Sequence, residues 1–479
     1  MKIEEFRKHA HRLVDWMADY LEQVEQYPVK SQSKPGDLLA QLPAQAPQKG
    51  EAFEDIFRDF ENKILPGITH WQHPSFFAYF PANSSPPSVL AEMLMATLGV
   101  QGMVWETSPA ATELEERMMQ WLRDACGLPS HWHGVIQDTA STASLCAILS
   151  ARERATGFQC NESGLYEQAR LRIYASGQTH SSIEKDVKIA GLGKENLVYI
   201  DTDERYALRP EALRQAIEED LRRGYRPMMV VANIGTTGST AIDPLPAIAA
   251  IAKEYGLWLH VDAAYAGTAC LLPECRHIIE GIEHADSYVF NPHKWMLTNF
   301  DCSAYYVSDK ETLLRTFSIL PEYLKTGLEG QVNNYRDWGI ALGRRFRALK
   351  LWFVLRSYGI EGLQQILRRH IMFAQWVKTC IEGHPEFELM APVPLNLVCF
   401  RYHPQGVDDP EMLNKLNATL LQRLNAGGKL YLSHTKLRGQ YVLRLVCGQT
   451  YVQEQHVQQA WQLIEAESRR IIRQASFRQ

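Results

Sequence analysis

From about residue 85 the sequence alternates between two periodicities, and that alternation constrains the fold more than any other feature. Short runs rich in β-branched and aromatic residues recur at 172–175, 197–200, 228–232, 257–261 and 287–290. Between them lie helical stretches such as 210–223 and 246–255. Strands separated by helices of this length make βαβ units, and so predict a mostly parallel sheet flanked by helices. Right-handed crossovers then place the functional loops at the carboxyl ends of the strands. After about residue 350 a further α+β segment begins, with strands expected near 396–402 and 441–446.

Residues 1–66 read differently. Phe6, Leu13, Trp16, Met17, Tyr20 and Leu21 recur at helical spacing and form one apolar stripe. The stretch 27–50 holds four prolines and reads as extended. A second helix is expected around 52–64, with Phe53, Ile56, Phe57 and Phe60 on one face. Both stripes need cover, from the rest of the chain or from a partner subunit. The expected organisation is a helical segment at 1–84, a large α/β domain at 85–350 and a small α+β domain at 351–479. At 479 residues the chain has room for roughly three domains of about 150 residues each.

Composition removes several function classes. A formal charge of -5 argues against general nucleic-acid binding. The basic run Arg344-Arg345-Phe346-Arg347 fits a buried anion or a solvated helix face equally well. The nine cysteines include no CxxC pair, so no metal site is expected. Their odd count and irregular spacing fit free thiols in a reducing compartment. Met1-Lys2-Ile3-Glu4-Glu5 is too acidic and polar for a secretory leader, and no apolar run has the length of a membrane span. A cytoplasmic protein with no membrane partner is expected.

The chemistry gathers where the expected strands end. Leu257-Trp258-Leu259-His260-Val261 delivers Asp262, followed by the small residues Ala263 and Ala264. Thirty-two residues after Asp262, the strand at 287–290 has run into Asn291-Pro292-His293-Lys294. A structural ion pair would account for this acid and amine alone. Other pieces, however, match the needs of one cofactor, pyridoxal phosphate. Lys294 is the candidate amine for a Schiff base. Asp262 is the candidate carboxylate for the pyridine nitrogen, where an adjacent opposite charge shifts the ring by roughly 1–3 pKa units toward its protonated form. Asp138-Thr139-Ala140-Ser141-Thr142 leads into a helical run at 143–154, which would aim backbone N–H groups at a phosphate. Such residues at a helix start are more often plain caps. His180, in Gln178-Thr179-His180-Ser181-Ser182, could stack on the ring, although a lone histidine is more often structural.

In combination these residues resemble a family. His260-Val261-Asp262-Ala263-Ala264-Tyr265-Ala266-Gly267, then Asn291-Pro292-His293-Lys294-Trp295 and Phe300-Asp301-Cys302-Ser303, are similar to the group II pyridoxal-phosphate-dependent aromatic L-amino acid decarboxylases. The similarity extends to His73-Pro74-Ser75-Phe76-Phe77-Ala78-Tyr79-Phe80-Pro81, to Trp105 with Ser108-Pro109-Ala110, and to Gly134-Val135-Ile136-Gln137. It continues through Gly235-Thr236-Thr237 and Leu342-Gly343-Arg344-Arg345-Phe346-Arg347, so it covers nearly the whole chain. The resemblance implies the fold-type I (aspartate-aminotransferase-like) architecture and a homodimer with a shared active site, its N-terminal helices clasping the partner. It implies Lys294, Asp262 and His180 as the cofactor's lysine, ring-nitrogen partner and stacking group. Ala140, Ser141, Asn291 and His293 match phosphate-side positions, and Thr237 and Ala264 match residues around the ring. Tyr79 and Phe80 match the substrate pocket, with Gln101, Met103 and Gly343 near its ring-binding surface, and Arg344 matches an arginine near the site.

The resemblance also bears on the reaction. Ile319-Leu320-Pro321-Glu322-Tyr323-Leu324-Lys325 resembles the family's catalytic loop, in which a tyrosine at the position of Tyr323 protonates the substrate carbon. Relatives with phenylalanine there tend to form aldehydes with oxygen, and some insect relatives reach that outcome with asparagine at the position of His180. This chain has both Tyr323 and His180, which favours release of an amine and carbon dioxide. The implied substrates are L-DOPA, tyrosine, tryptophan and 5-hydroxytryptophan. The alternatives are an aromatic aldehyde synthase on the same site and a non-catalytic protein that binds pyridoxal phosphate.

Overall fold

The computed structural model describes residues 1–166, 168–319 and 330–476. The chain opens with helix α1 (Ile3–Gln23), an irregular proline-containing stretch, and helix α2 (Phe53–Asp59), which continues as one wider turn to Ile64. The aromatic stripes pack on each other. Trp16 meets Phe57 and Phe60 edge-on at 5.9 and 5.3 Å and stacks on Tyr20 at 5.5 Å. That cover is incomplete, because Ile3, Phe6, Val14 and Ile56 stay exposed.

Residues 82–372 and 391–397 form one compact unit around a seven-stranded sheet. It begins with α3 (Pro86–Leu98) and α4 (Pro109–Cys126). Each starts on a proline, which is preset for the first helical turn, and ends at a left-handed glycine, Gly99 or Gly127. The sheet and its connections follow: β1 (His133–Gln137), α5 (Ala140–Ala155), α6 (Cys160–Ser163), β2 (Leu171–Ser176), α7 (Ser181–Ile189), β3 (Leu197–Ile200), α8 (Pro210–Arg222), β4 (Arg226–Asn233), α9 (Leu245–Tyr255), β5 (Trp258–Asp262), β6 (Ser287–Phe290), α10 (Pro292–Trp295), β7 (Ser303–Val307) and α11 (Lys310–Phe317). A long helical stretch, α12 (Ala348–Glu382), is interrupted at Gly359.

The strand order is β1-β7-β6-β5-β4-β2-β3. All neighbours are parallel except β7, which runs against both β1 and β6. This is the mostly parallel, helix-flanked sheet expected of fold type I. Its interior strands are buried on both faces, which is why they read as continuous apolar runs rather than alternating ones. One consequence for the site is that the helices of the parallel units return every strand to the same edge, so the ends of β2, β4, β5 and β6 lie side by side.

The second unit groups residues 1–81 with 373–390 and 398–479. Its sheet has the order β10-β11-β9-β8, built from β8 (Phe387–Leu389), β9 (Leu397–Tyr402), β10 (Ser433–Leu437) and β11 (Gln440–Val446), with α13 (Pro410–Ala426) and α14 (Glu454–Ser476). Phe76, Phe77 and Ala78 are fully buried here. The Phe77 N–H donates to the Tyr431 carbonyl at 2.9 Å, and the Phe77 carbonyl accepts from the Val446 N–H at 3.0 Å. The segment 73–81 is thus pinned by backbone hydrogen bonds to the residues around β10 and β11. Among the described residues no helix is long and apolar enough to cross a membrane.

Candidate active site

The sheet edge carries the acid and the amine. Strand β5 ends on Asp262, whose Oδ1 accepts the Ala264 N–H at 3.0 Å. Strand β6 runs straight into Asn291 and the single-turn helix α10, which holds Lys294. Local hydrogen bonds fix that turn. The Asn291 N–H donates to the Ala264 carbonyl at 2.9 Å, and the Lys294 N–H to the Asn291 carbonyl at 2.9 Å. Asn83 clamps it from outside, its N–H on the His293 carbonyl at 3.0 Å and its Nδ2 on the Lys294 carbonyl at 2.6 Å. Ser303 Oγ donates to Asn291 Oδ1 at 2.7 Å, and His293 Nδ1 accepts the Cys302 N–H at 3.0 Å. Burial, with Lys294 adding to it, pushes the His293 imidazole down to about 3, so it stays neutral.

The lysine is tuned the same way. Burial lowers the pKa of the Lys294 ammonium, while the Asp262 carboxylate partly resists. A lysine held below its ordinary value spends more of its time as the nucleophilic free amine. Both groups reach His180: burial lowers the imidazole pKa, the charge of Asp262 opposes this and that of Lys294 adds to it. Lys294, Asp262 and His180 therefore form one electrostatic cluster.

His180 also caps helix α7. Its Nδ1 accepts the Ser182 N–H at 3.2 Å and lies 2.8 Å from Ser182 Oγ. A ring nitrogen that accepts a backbone N–H carries no proton, so the neutral ring bears its hydrogen on Nε2. Thr179 Oγ1 donates to Asn233 Oδ1 at 3.0 Å, tying this loop to the end of β4.

Ala140 and Ser141 occupy the first turn of α5, with Thr139 as the N-cap accepting the Thr142 N–H at 3.4 Å. The first N–H groups of a helix have no partner within it, so this turn suits an anion. The β4–α9 turn holds exposed Thr237. Gly235 is required there: its φ is +86°, and a Cβ would stand 2.5 Å from the Ala266 Cβ.

Gln101, Met103 and Gly343 come together in a backbone clasp of the same unit. The Gly102 N–H donates to the Arg344 carbonyl at 2.8 Å, the Arg344 N–H to Gln101 Oε1 at 2.5 Å, and the Arg336 N–H to the Met103 carbonyl at 3.0 Å. Tyr79 and Phe80 belong to the unit that contains residues 1–81. There the Tyr79 hydroxyl lies 3.1 Å from that of Tyr431, and Phe80 lies under the Arg444 guanidinium. Tyr323 lies outside the described residues.

The role of Arg344 is structural. Its buried guanidinium donates to Glu115 Oε1 at 2.6 Å and to the Ile136 carbonyl at 2.8 Å, and the same Glu115 oxygen accepts the Ile136 N–H at 2.8 Å. The pair thus staples β1 to α4. The rest of the basic run also ends on carboxylates: Arg345 meets Glu92, and Arg347 binds Asp301 with two bonds of 3.0 Å. Arg344→Met should leave Glu115 charged, buried and unpaired, and lower unfolding stability by roughly 3–5 kcal/mol. Denaturant midpoints of this variant and of the E115Q/R344M double variant would check it, the double variant recovering part of the loss.

A buried amine whose pKa is lowered, a carboxylate on the neighbouring strand β5, an imidazole within electrostatic reach of both and a helix start that suits an anion make a donor set that fits pyridoxal phosphate. The fold and this set define a fold-type I pyridoxal-phosphate enzyme. The family described as the pyridoxal-dependent decarboxylase conserved domain matches residues 35–403. The chain is 44% identical to tryptophan decarboxylase 2 of Oryza sativa, over 98% of this chain and 96% of that one. It is 45% identical to a phenylacetaldehyde synthase of Arabidopsis thaliana, with the same coverages of 98% and 96%. An Oryza sativa TDC structure with PLP and tryptamine superimposes with a TM-score of 0.95 at 36% identity, over 98% of this chain and 99% of that one. The chain belongs to the pyridoxal-dependent decarboxylase family, and it is an enzyme whose cofactor is pyridoxal 5′-phosphate.

Sequence reasoning had no access to three of the groups described here. Asn83 and the Arg344–Glu115 staple depend on partners that only the fold supplies, and the capping role of His180 depends on the start of α7. Only the cap left a local signal, since Ser181 and Ser182 directly follow His180.

Proposed function

We propose that this enzyme decarboxylates aromatic L-amino acids to the corresponding amines, taking L-DOPA, tyrosine, tryptophan or 5-hydroxytryptophan. Pyridoxal phosphate, when bound, supplies the electron sink that accepts the pair left on Cα as carbon dioxide departs. Lys294 would hold the cofactor through its amine. Asp262 keeps the proton on the ring nitrogen, without which the sink is weak. His180 would stack on the ring, and the first turn of α5 with Asn291 and His293 would hold the phosphate. Gln101, Met103 and Gly343 are the candidates for binding the aromatic ring, and the family resemblance also assigns Tyr79 and Phe80 to substrate binding.

The choice between amine and aldehyde rests on one observation, the presence of Tyr323 together with His180. Decarboxylases and an aldehyde synthase match this chain at nearly equal identity, so overall similarity favours neither. Tyr323 acts as the general acid that returns a proton to Cα. A proton delivered there ends the reaction at the amine before oxygen can intervene. The unit of function is a cytoplasmic homodimer with a shared site, a reading supported by the exposed Ile3, Phe6, Val14 and Ile56 on the N-terminal helices.

The test is incubation of the purified holoenzyme with a panel of aromatic amino acids, in air and without oxygen. Carbon dioxide, amine, aldehyde, ammonia and peroxide would be followed together. Amine equal to carbon dioxide under both conditions is expected. Aldehyde, ammonia and peroxide that appear only with oxygen would overturn the amine-forming reading in favour of the synthase.

A further inference from the structure

Asn233 has no part in the chemistry above, yet it stands in the middle of the strand ends. It is the last residue of β4, is 3% exposed, and pairs in register with Asp262 on β5. The Ile234 N–H donates to the Asp262 carbonyl at 2.9 Å, which fastens the end of β4 to the end of β5. On its other side β4 neighbours β2, whose chain leads through Gly177, Gln178 and Thr179 to His180. Asn233 therefore lies between the strand that delivers Asp262 and the turn that delivers His180.

Its amide is fixed at both ends. Asp243 Oδ2 accepts the Asn233 backbone N–H at 2.7 Å, so Asn233 Nδ2, 3.1 Å from the same oxygen, donates to it too. Asp243 is itself 1% exposed and takes the Leu208 N–H on its other oxygen at 2.7 Å, so this anchor is held. That orientation leaves Asn233 Oδ1 as the acceptor, and the Thr179 hydroxyl donates to it at 3.0 Å. The turn is closed locally as well, by the Thr179 N–H on the Ser176 carbonyl at 3.0 Å. A β-branched side chain has few rotamers, so holding its hydroxyl also holds the backbone that leads into His180. The imidazole is thus secured from the residue before it and, through Ser182, from the helix after it.

We propose that Thr179 is a positioning residue for His180, its hydroxyl gripped by Asn233 so that the imidazole keeps one orientation. The cap on α7 holds one ring nitrogen, and the bond to Asn233 holds the turn on which the ring is mounted. Because Asn233 is paired with Asp262, the same brace sets the histidine's turn against the acid's strand end. Asn233 acts through Thr179, and Thr179 acts through His180. The inference rests on the assignment of His180 as the group that stacks on the cofactor ring.

The experiment uses the holoenzyme and reads two signals, the circular dichroism of the bound cofactor's visible band and the kinetics of carbon dioxide release. Thr179→Val keeps the branched shape and removes the hydroxyl, and Thr179→Ser keeps the hydroxyl. Thr179→Val should lower kcat roughly threefold to tenfold with KM within about twofold, the range that one neutral hydrogen bond commands. It should also change the dichroism of the band, while Thr179→Ser matches the wild type on both signals. His180→Asn keeps a residue able to cap the helix, and adding Thr179→Val to it should change neither signal further. A loss of the same size in both backgrounds would mark a purely structural role and overturn the proposal. If His180→Asn leaves the dichroism unchanged, the His180 assignment falls and this inference with it. If His180→Asn changes it and Thr179→Val superimposes on the wild type, this inference alone falls.

Discussion

Lys294→Ala is expected to reduce turnover by on the order of 10⁴-fold or more, a loss of about 5.4 kcal/mol of transition-state stabilisation, and to abolish the visible cofactor band. The expectation follows from where the amine sits. Its turn is held by Asn291, Ala264 and the Asn83 clamp, which fixes the backbone that carries the amine. Burial keeps it below the ordinary ammonium value, so the wild-type residue is already prepared as a nucleophile. Lys294→Arg should fail equally, since a guanidinium keeps the charge but stays protonated. Absorbance spectra and single-turnover assays with far-UV dichroism as a folding control would decide. A Lys294→Ala enzyme that keeps both its band and its turnover would remove the lysine from the mechanism.

Tyr323→Phe is expected to leave carbon dioxide release within about tenfold of the wild type while amine yield falls by roughly 10²–10⁴-fold, the usual contribution of a positioned general acid. In air, the missing amine should reappear as aldehyde, with one ammonia and one hydrogen peroxide for each oxygen consumed. The electron pair at Cα is then given to oxygen rather than to a proton. Without oxygen the variant should stall. The two halves of the reaction come apart only if the hydroxyl serves the second half alone, so amine yield that is unchanged in Tyr323→Phe would refute its role.

The parallel core of the fold was legible because it is written locally. The runs expected at 172–175, 197–200, 228–232, 257–261 and 287–290 fall on β2 to β6, with ends displaced by no more than two residues. Strands β1 and β7 escaped the alternation because they pair antiparallel with each other and lie outside the parallel βαβ units. Strand β8 has three residues, and β10 alternates buried and exposed positions with polar His434 and Lys436 outward. Neither makes an apolar run.

The site divides along a similar line. Lys294, Asp262 and His180 lie at or just after strand ends, and residue type together with a strand end singled them out as candidates. Asn233 also ends a strand, but nothing in the letters around it reports that its amide joins Asp243 to Thr179. Arg344 lies 229 residues from the carboxylate that neutralises it. A basic run read by itself says nothing about an acid on another helix.

The cap on α7 has a consequence for how this site can change over time. A helix start asks only for a short acceptor that can reach a backbone N–H, and asparagine meets that demand at least as well as histidine. Exchanging one for the other at position 180 would therefore change the side chain in electrostatic reach of Asp262 and Lys294 while the helix keeps its anchor. Chemistry and folding are uncoupled at that position, so a lineage can explore a different outcome on the same scaffold without first passing through a protein that no longer holds together.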